Sequence, residues 1–318
     1  MGAEMAGEEV RVWRKAIPEG RDRVQSRVLV AVVGSLLVWM TVWTMRLAFP
    51  SISRFPAFVL GAFGVSLAFA VVVWALKAAT PAGAICGGMI CLVLTSWTGT
   101  YDVSIAETAL TPLAVLFLLT FLATRVGKKR KAIAGLAEHR RGRSASQVIA
   151  NLSVAALCVT PWMDSIISKT MGSCCTSGIY PAWIMWTMRL TCLAALVEAT
   201  ADTVSSEIGQ AFGGRPVMLL SLRRVEVGTD GAVTLLGSAA GILAGVMVAL
   251  VGMWGLRLGV GEACIALVAG VCGLFFDSLL GATLERRGWL GNDLVNFAST
   301  VFAAGVAVLG YRVFVFGW

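Results

Sequence analysis

Residues Val28 to Trp43 run without a single charged side chain, and stretches of the same kind recur to the end of the chain. Such runs leave few folds open. In hydrocarbon every backbone N–H and C=O must find a partner within the protein, so only helices and closed barrels span a membrane. A barrel strand alternates apolar and polar residues over roughly ten positions, and these runs do not alternate. The expected fold class is therefore all-α, a polytopic transmembrane helical bundle. Composition agrees: 58% of residues are hydrophobic, 14% are charged and the mean hydropathy is +0.82, against about 25% charged in soluble domains. Thirty-five glycines fit close helix packing in lipid.

At about 20 apolar residues per span, helices are expected near 28–47, 55–76, 81–98, 107–124, 147–164, 183–203, 232–254, 260–280 and 294–316. This makes about nine, within a range of seven to ten. Residues 1–27 read as a polar cytoplasmic tail and 28–318 as the transmembrane domain. The first apolar run is too long for a signal-peptide core and lacks a small-residue cleavage site, so it reads as a retained anchor. Lysine and arginine mark the cytoplasmic side of short loops. With the N-terminus inside, segments 1–27, 77–80, 125–146, 204–231 and 281–293 hold twenty of the 26 basic residues. The net charge of +8 thus lies between spans, and nucleic acid is not the expected partner. The basic segment Arg125–Arg143 reads as a positive-inside loop or a patch for anionic membrane lipids. Arg189, just after Trp183 and Trp186, reads as snorkelling to the outer interface. Six cysteines in apolar runs read as small core residues. Cys174 and Cys175 show no CxxC spacing, and His139 is the only histidine.

The polar residues within this frame converge on the inner face. Asp202 and Glu207 end the sixth span, Asp277 ends the eighth, and Asn292, Asp293 and Asn296 open the ninth. Glu198 and Asp202 share a helical face, while Glu207 stands roughly 140° round from Asp202. Both acids can serve one site only if the helix breaks between them; otherwise Glu207 bonds another partner. Asp277 sits in G-L-F-F-D-S-L-L-G-A, where an ionised carboxylate demands a cation or donor. Gly228-Thr229-Asp230-Gly231 precedes a span, either capping it or offering an anion site at its start. Gly237, Gly241 and Gly245 read as a packing stripe, and Asn151 faces a partner helix or a site. Carboxylates, arginines and glycines at one membrane face suit a phosphate substrate carried with a divalent metal.

The segments A-D-T-V-S-S-E-I-G, R-R-V-E-V-G-T-D-G-A-V-T-L-L-G-S, D-S-L-L-G-A-T-L-E and N-D-L-V-N-F, in this order, resemble the integral-membrane phytyl-phosphate kinase family of tocopherol biosynthesis and phytol salvage. R-V-G-K-K-R-K and R-S-A-S-Q-V-I-A-N are similar to its earlier pattern. The likeness covers roughly 80–318 and is densest over 198–300. Ala201, Asp230 and Ala232 depart from it. The resemblance implies phosphoryl transfer from a nucleoside triphosphate, CTP favoured, to a polyprenyl monophosphate such as phytyl, geranylgeranyl or farnesyl phosphate, in a multi-pass protein of a bacterial inner membrane. Carried onto this chain, its motifs cover Asp202, Ser206, Glu207, Gly228, Thr229, Gly231, Asp277, Ser278, Gly281, Asn292, Asp293 and Asn296. Asp202, Glu207, Asp277 and Asp293 are then the expected catalytic acids. Asp202, Asp277 and Asp293 are expected to hold Mg²⁺, and Arg223 and Arg224, with the 228–231 turn, to hold phosphates. A CTP-dependent lipid cytidylyltransferase would need the same groups, and a transporter is the alternative from another class. The sequence carries no signal for oligomeric state.

Overall fold

The computed structural model describes residues 17–99, 104–133, 136, 142–163 and 182–317; His139, Cys174 and Cys175 lie outside them. The chain forms α1 (Glu19–Ser51, with a π turn at Val30–Gly34), α2 (Pro56–Ala75), α3 (Pro81–Thr98), α4 (Leu110–Arg125), α5 (Lys128–Ile133), α6 (Ala145–Cys158) and α7 (Ala182–Phe212). After a two-residue antiparallel pair, β1 (Val217–Met218) with β2 (Ala232–Val233), come α8 (Leu235–Gly255), α9 (Val260–Leu280, continued by a π turn at Gly281–Glu285) and α10 (Asn292–Phe316). Among the described residues seven helices are long and apolar enough to cross a membrane, and α4 and α6 are shorter apolar helices. The all-α polytopic bundle expected from the sequence is the observed fold.

Several boundaries differ from the sequence reading; the span expected over 147–164 is the shorter helix Ala145–Cys158, and three further differences bear on the site. The helix expected to start at 28 begins at Glu19, so residues 19–27, though mostly exposed, are part of the first helix. Arg21 and Gln25 donate to the carbonyls of Gly288 and Trp289 at 2.8 and 2.7 Å, and the Gly291 N–H donates to Gln25 at 2.7 Å. Helix α7 runs nine residues past its expected end, unbroken through Asp202 and Glu207. The span expected to begin at 232 starts at Leu235, with Thr234 accepting from the Gly237 N–H at 3.0 Å as its cap. The 228–231 turn therefore lies ahead of that helix start and does not cap it.

Helix α7 is the axis of the bundle, buried through most of its length against α4, α6, α8, α9 and α10. Glycines make that possible. A Cβ on Gly241 would stand 2.4 Å from the Ala201 carbonyl oxygen, and one on Gly273 would stand 2.5 Å from Cγ of Glu198. The stripe Gly237, Gly241 and Gly245 is thus a packing surface, as its spacing implied.

The chain goes up and down, which brings alternate helix ends together. Arg125 at the end of α4 donates to the Leu76 carbonyl after α2 at 3.1 Å, and Thr80 before α3 donates its N–H to the Arg143 carbonyl before α6 at 2.9 Å. At the opposite face Arg189 is buried, not snorkelling. Its Nη2 donates to the Thr98 carbonyl at 2.9 Å and its Nη1 to the Leu256 carbonyl at 3.2 Å. These carbonyls end α3 and α8, where the helix dipole favours a cation; that sink holds the guanidinium inside.

Helix α5 belongs to the basic segment read as a loop or lipid patch. Lys131 turns inward from it, fully buried, donating to the Thr124 carbonyl at 3.0 Å and pairing with Glu207. Glu207 has thus found another partner, the alternative required of an unbroken helix.

Two outcomes are expected from this packing. Gly241→Val should lower the unfolding temperature of the detergent-solubilised protein, because overpacking costs about 1–3 kcal/mol. Lys131→Met should cost about 3–5 kcal/mol by stranding Glu207, and the Lys131→Met/Glu207→Gln double variant should regain part of that loss in the same thermal scan.

Candidate functional site

Where the ends of α6, α7, α9 and α10 meet the turn before α8, they enclose a polar cavity of ≈ 460 Å³. Helix α7 contributes Asp202, Ser206 and Glu207. Asp202 and Ser206 are one turn apart on the same face, which the unbroken helix preserves. Helix α9 contributes Asp277 and Ser278, and its π turn contributes Glu285. A π turn carries an extra residue and re-aims the side chains after it, and here it carries Glu285 into the lining. Asn292 and Asn296 come from α10, and Arg143, Gln147 and Asn151 from the start of α6.

The turn 228–234 forms the remaining wall. Gly231 has φ +72°, and a Cβ there would lie 2.0 Å from the Ala282 nitrogen, so only glycine lets the turn rest on α9. Thr229 Oγ1 donates to the Glu226 carbonyl at 2.7 Å, which ties the turn internally.

A hydrogen-bonded chain links the amide side to the acid side. Asn151 donates to the Gln147 carbonyl at 2.8 Å and accepts from Asn296 at 3.1 Å. The Ser299 hydroxyl, about one turn deeper on α10, has two acceptors in reach, Asp277 at 3.3 Å and the Asn296 carbonyl at 2.9 Å. Beneath them Glu198 is buried, and neither of its oxygens has hydrogen-bond geometry to a partner, although the Ser299 hydroxyl stands beside it. Asp277 feels the charges of Asp202, Glu198 and Glu285, and Arg143 acts on Asp202 from the α6 side. Carboxylates gathered at the end of a membrane bundle repel one another unless a cation or proton lies among them.

The residues named from the sequence divide in two. Asp202, Ser206, Glu207, Gly228, Thr229, Gly231, Asp277, Ser278, Asn292 and Asn296 all line the cavity. Asp293, Arg223 and Arg224 do not. Asp293 accepts from Ser26 of α1 at 2.6 Å, which holds its carboxylate against the first helix. Arg223 and Arg224 are exposed on the connection between β1 and β2. The cation in the lining is Arg143, and Gln147 and Glu285 are further lining residues that the sequence reading left out. The signal for the first two was present in R-S-A-S-Q-V-I-A-N; for Glu285 it required the π turn.

Magnesium takes one or two carboxylates and draws its other ligands from water and substrate phosphates. Asp202 and Asp277 fit that requirement. Among the described residues no three histidine, cysteine or acidic side chains are grouped to hold a metal ion, and Asp293, turned onto Ser26 and outside the lining, is not placed to add a third carboxylate.

Comparison with known proteins places the sequence in a family. The family described as Integral membrane protein DUF92 matches residues 64–304. The "Uncharacterized membrane protein sll0875" of Synechocystis sp. is 30% identical over 84% of this chain and 93% of its own length. "Protein VTE6, chloroplastic" of Arabidopsis thaliana is 30% identical over 64% of this chain, which spans 59% of that protein. The "Uncharacterized membrane protein MJ0933" of Methanocaldococcus jannaschii is 38% identical over 37% of this chain and 50% of its own length. No solved structure matches the chain. A match over three quarters of the sequence, with the site motifs inside it, means that this chain belongs to the integral membrane protein DUF92 family.

Proposed function

We propose that this chain is a membrane kinase that moves the γ-phosphoryl group of a nucleoside triphosphate, CTP favoured, onto a polyprenyl monophosphate such as phytyl, geranylgeranyl or farnesyl phosphate. The observation that carries the reading is the polar cavity itself, in which Asp202 and Asp277 face Arg143 and a glycine turn at one end of an apolar bundle. The motifs that resemble phytyl-phosphate kinases and the likeness to Protein VTE6 support it.

In the proposed reaction an oxygen of the lipid phosphate attacks the γ-phosphorus. The new O–P bond forms as the bond to the β,γ-bridging oxygen breaks, and the nucleoside diphosphate leaves with the electron pair. The attacking group is already anionic, so no histidine base is required and catalysis consists of positioning and charge neutralisation. Asp202 and Asp277 would hold Mg²⁺, which when bound would neutralise phosphate charge. Arg143 and the N–H groups of the 228–231 turn orient phosphate oxygens, and Asn292 and Asn296 fix the α10 wall. The distribution of basic residues supports a cytoplasmic site and N-terminus, and the proposed location of the bundle is a bacterial inner membrane.

The test is purified protein in lipid with Mg²⁺, a panel of prenyl monophosphates and each nucleotide, with products identified by mass. A lipid diphosphate and a nucleoside diphosphate are expected. Release of pyrophosphate with a cytidylylated lipid would mark a cytidylyltransferase instead, and no diphosphate from any pairing overturns the kinase. Chelation should abolish turnover and added Mg²⁺ restore it. Asp202→Asn and Asp277→Asn should each lower kcat by about 10²–10³, the scale on which a preorganised electrostatic contact acts. Asp293→Asn should act mainly on stability.

A further inference from the structure

A second cavity, of ≈ 230 Å³, opens between α2, α3, α4 and α6. Its walls are apolar: Phe69 and Val73 from α2, Leu113, Leu116 and Phe117 from α4, and Leu152 from α6. From Leu113 to Thr124 it follows α4 for about 17 Å, at 1.5 Å per residue. Phe69 meets Phe117 edge-on at 5.5 Å, bridging α2 and α4, and Gly87 of α3 leaves room beneath them. Five basic residues, Lys77, Arg125, Lys128, Lys131 and Arg143, also line it.

This cleft is not separate from the acid-lined cavity. Arg143, Gln147 and Asn151 line both. A molecule with one long apolar chain and one anionic end would fit the pair with its chain between α2 and α4. Its charged end would then reach Arg143, with the carboxylates on the far side. We infer that the cleft holds the hydrocarbon chain of the lipid monophosphate and that the wall formed by Arg143, Gln147 and Asn151 presents its phosphate to the cavity. The inference rests on the kinase reading for the identity of the lipid. The shared wall assigns the chain to this side of the bundle and not to the lipid-facing surfaces of α8 and α9. The cleft is then the element that measures chain length, with Gly87 and Phe117 setting how far a chain can enter.

The decisive experiment labels wild-type protein in nanodiscs with a geranylgeranyl monophosphate carrying a diazirine on its terminal isoprene unit. Label is expected on peptides of α2, α4 and α6. It should be displaced by unlabelled geranylgeranyl monophosphate and not by phosphatidic acid. Label confined to α8 and α9, or displacement by phosphatidic acid as effective as by the prenyl monophosphate, overturns the inference. In parallel, Gly87→Leu should shift the kcat/KM ratio of geranylgeranyl over geranyl monophosphate by about tenfold towards geranyl, the scale of discrimination in an apolar pocket. Phe117→Ala should shift it the other way, and an unchanged ratio in both variants also overturns the inference. Crosslinking needs no turnover, so the two readings fail separately. Label in the cleft without any diphosphate product retains the chain site and removes the kinase; diphosphate product with label elsewhere does the reverse.

Discussion

The polar part of this molecule depends on how closely two backbones can approach α7. Lipid supplies no hydrophobic force between helices, so association rests on contact, and contact rests on small residues. Gly241 and Gly273 bring α8 and α9 to distances that leave no room for a Cβ. With its flanks closed in this way, α7 cannot turn its acids to solvent, and Asp202 is left facing the cavity at the helix-end level. Glu198, a turn deeper, is shut in altogether. A looser bundle would relieve these carboxylates by letting water in. This one keeps them together, and the arrangement is useful only if something positively charged visits it.

The two faces of the bundle treat charge differently. At the face away from the cavity, Arg189 is spent on the carbonyl ends of α3 and α8, and Arg257 pairs with Glu107. Those contacts tie the α3–α4 and α8–α9 connections to each other and to α7. At the cavity face Lys131 and Glu207 close α5 onto α7, while the acids of α7 and α9 are left around an open volume. One end holds the helices in register and the other end offers the groups for chemistry.

Spans, their order and the depth of the acids were legible in the sequence because hydropathy reports depth directly. What hydropathy cannot report is direction around a helix axis or pairing between distant segments. Asp293 is at the expected depth, yet Ser26, 267 positions away, takes its carboxylate. Arg223 and Arg224 are in the expected connection, yet the connection turns them out. The tryptophans beside Arg189 point to the interface, but the carbonyls that hold it belong to helices far along the chain. Glu198 stands outside the family motifs, and the structure buries it close to Asp277, behind the lining of the cavity.

The contact between the first and last helices has a consequence for how the protein is made. Gln25 and Ser26 hold the start of α10 through Gly291 and Asp293, and α10 supplies the amides opposite the acids. During synthesis the acid wall of α7 is complete while the amide wall has yet to leave the ribosome. Until α1 captures the last span, the carboxylates border a gap between helices. Closure of the ring is then the event that converts a bundle of inserted helices into a bounded site, and a chain stopped before residue 292 would have the acids without the enclosure.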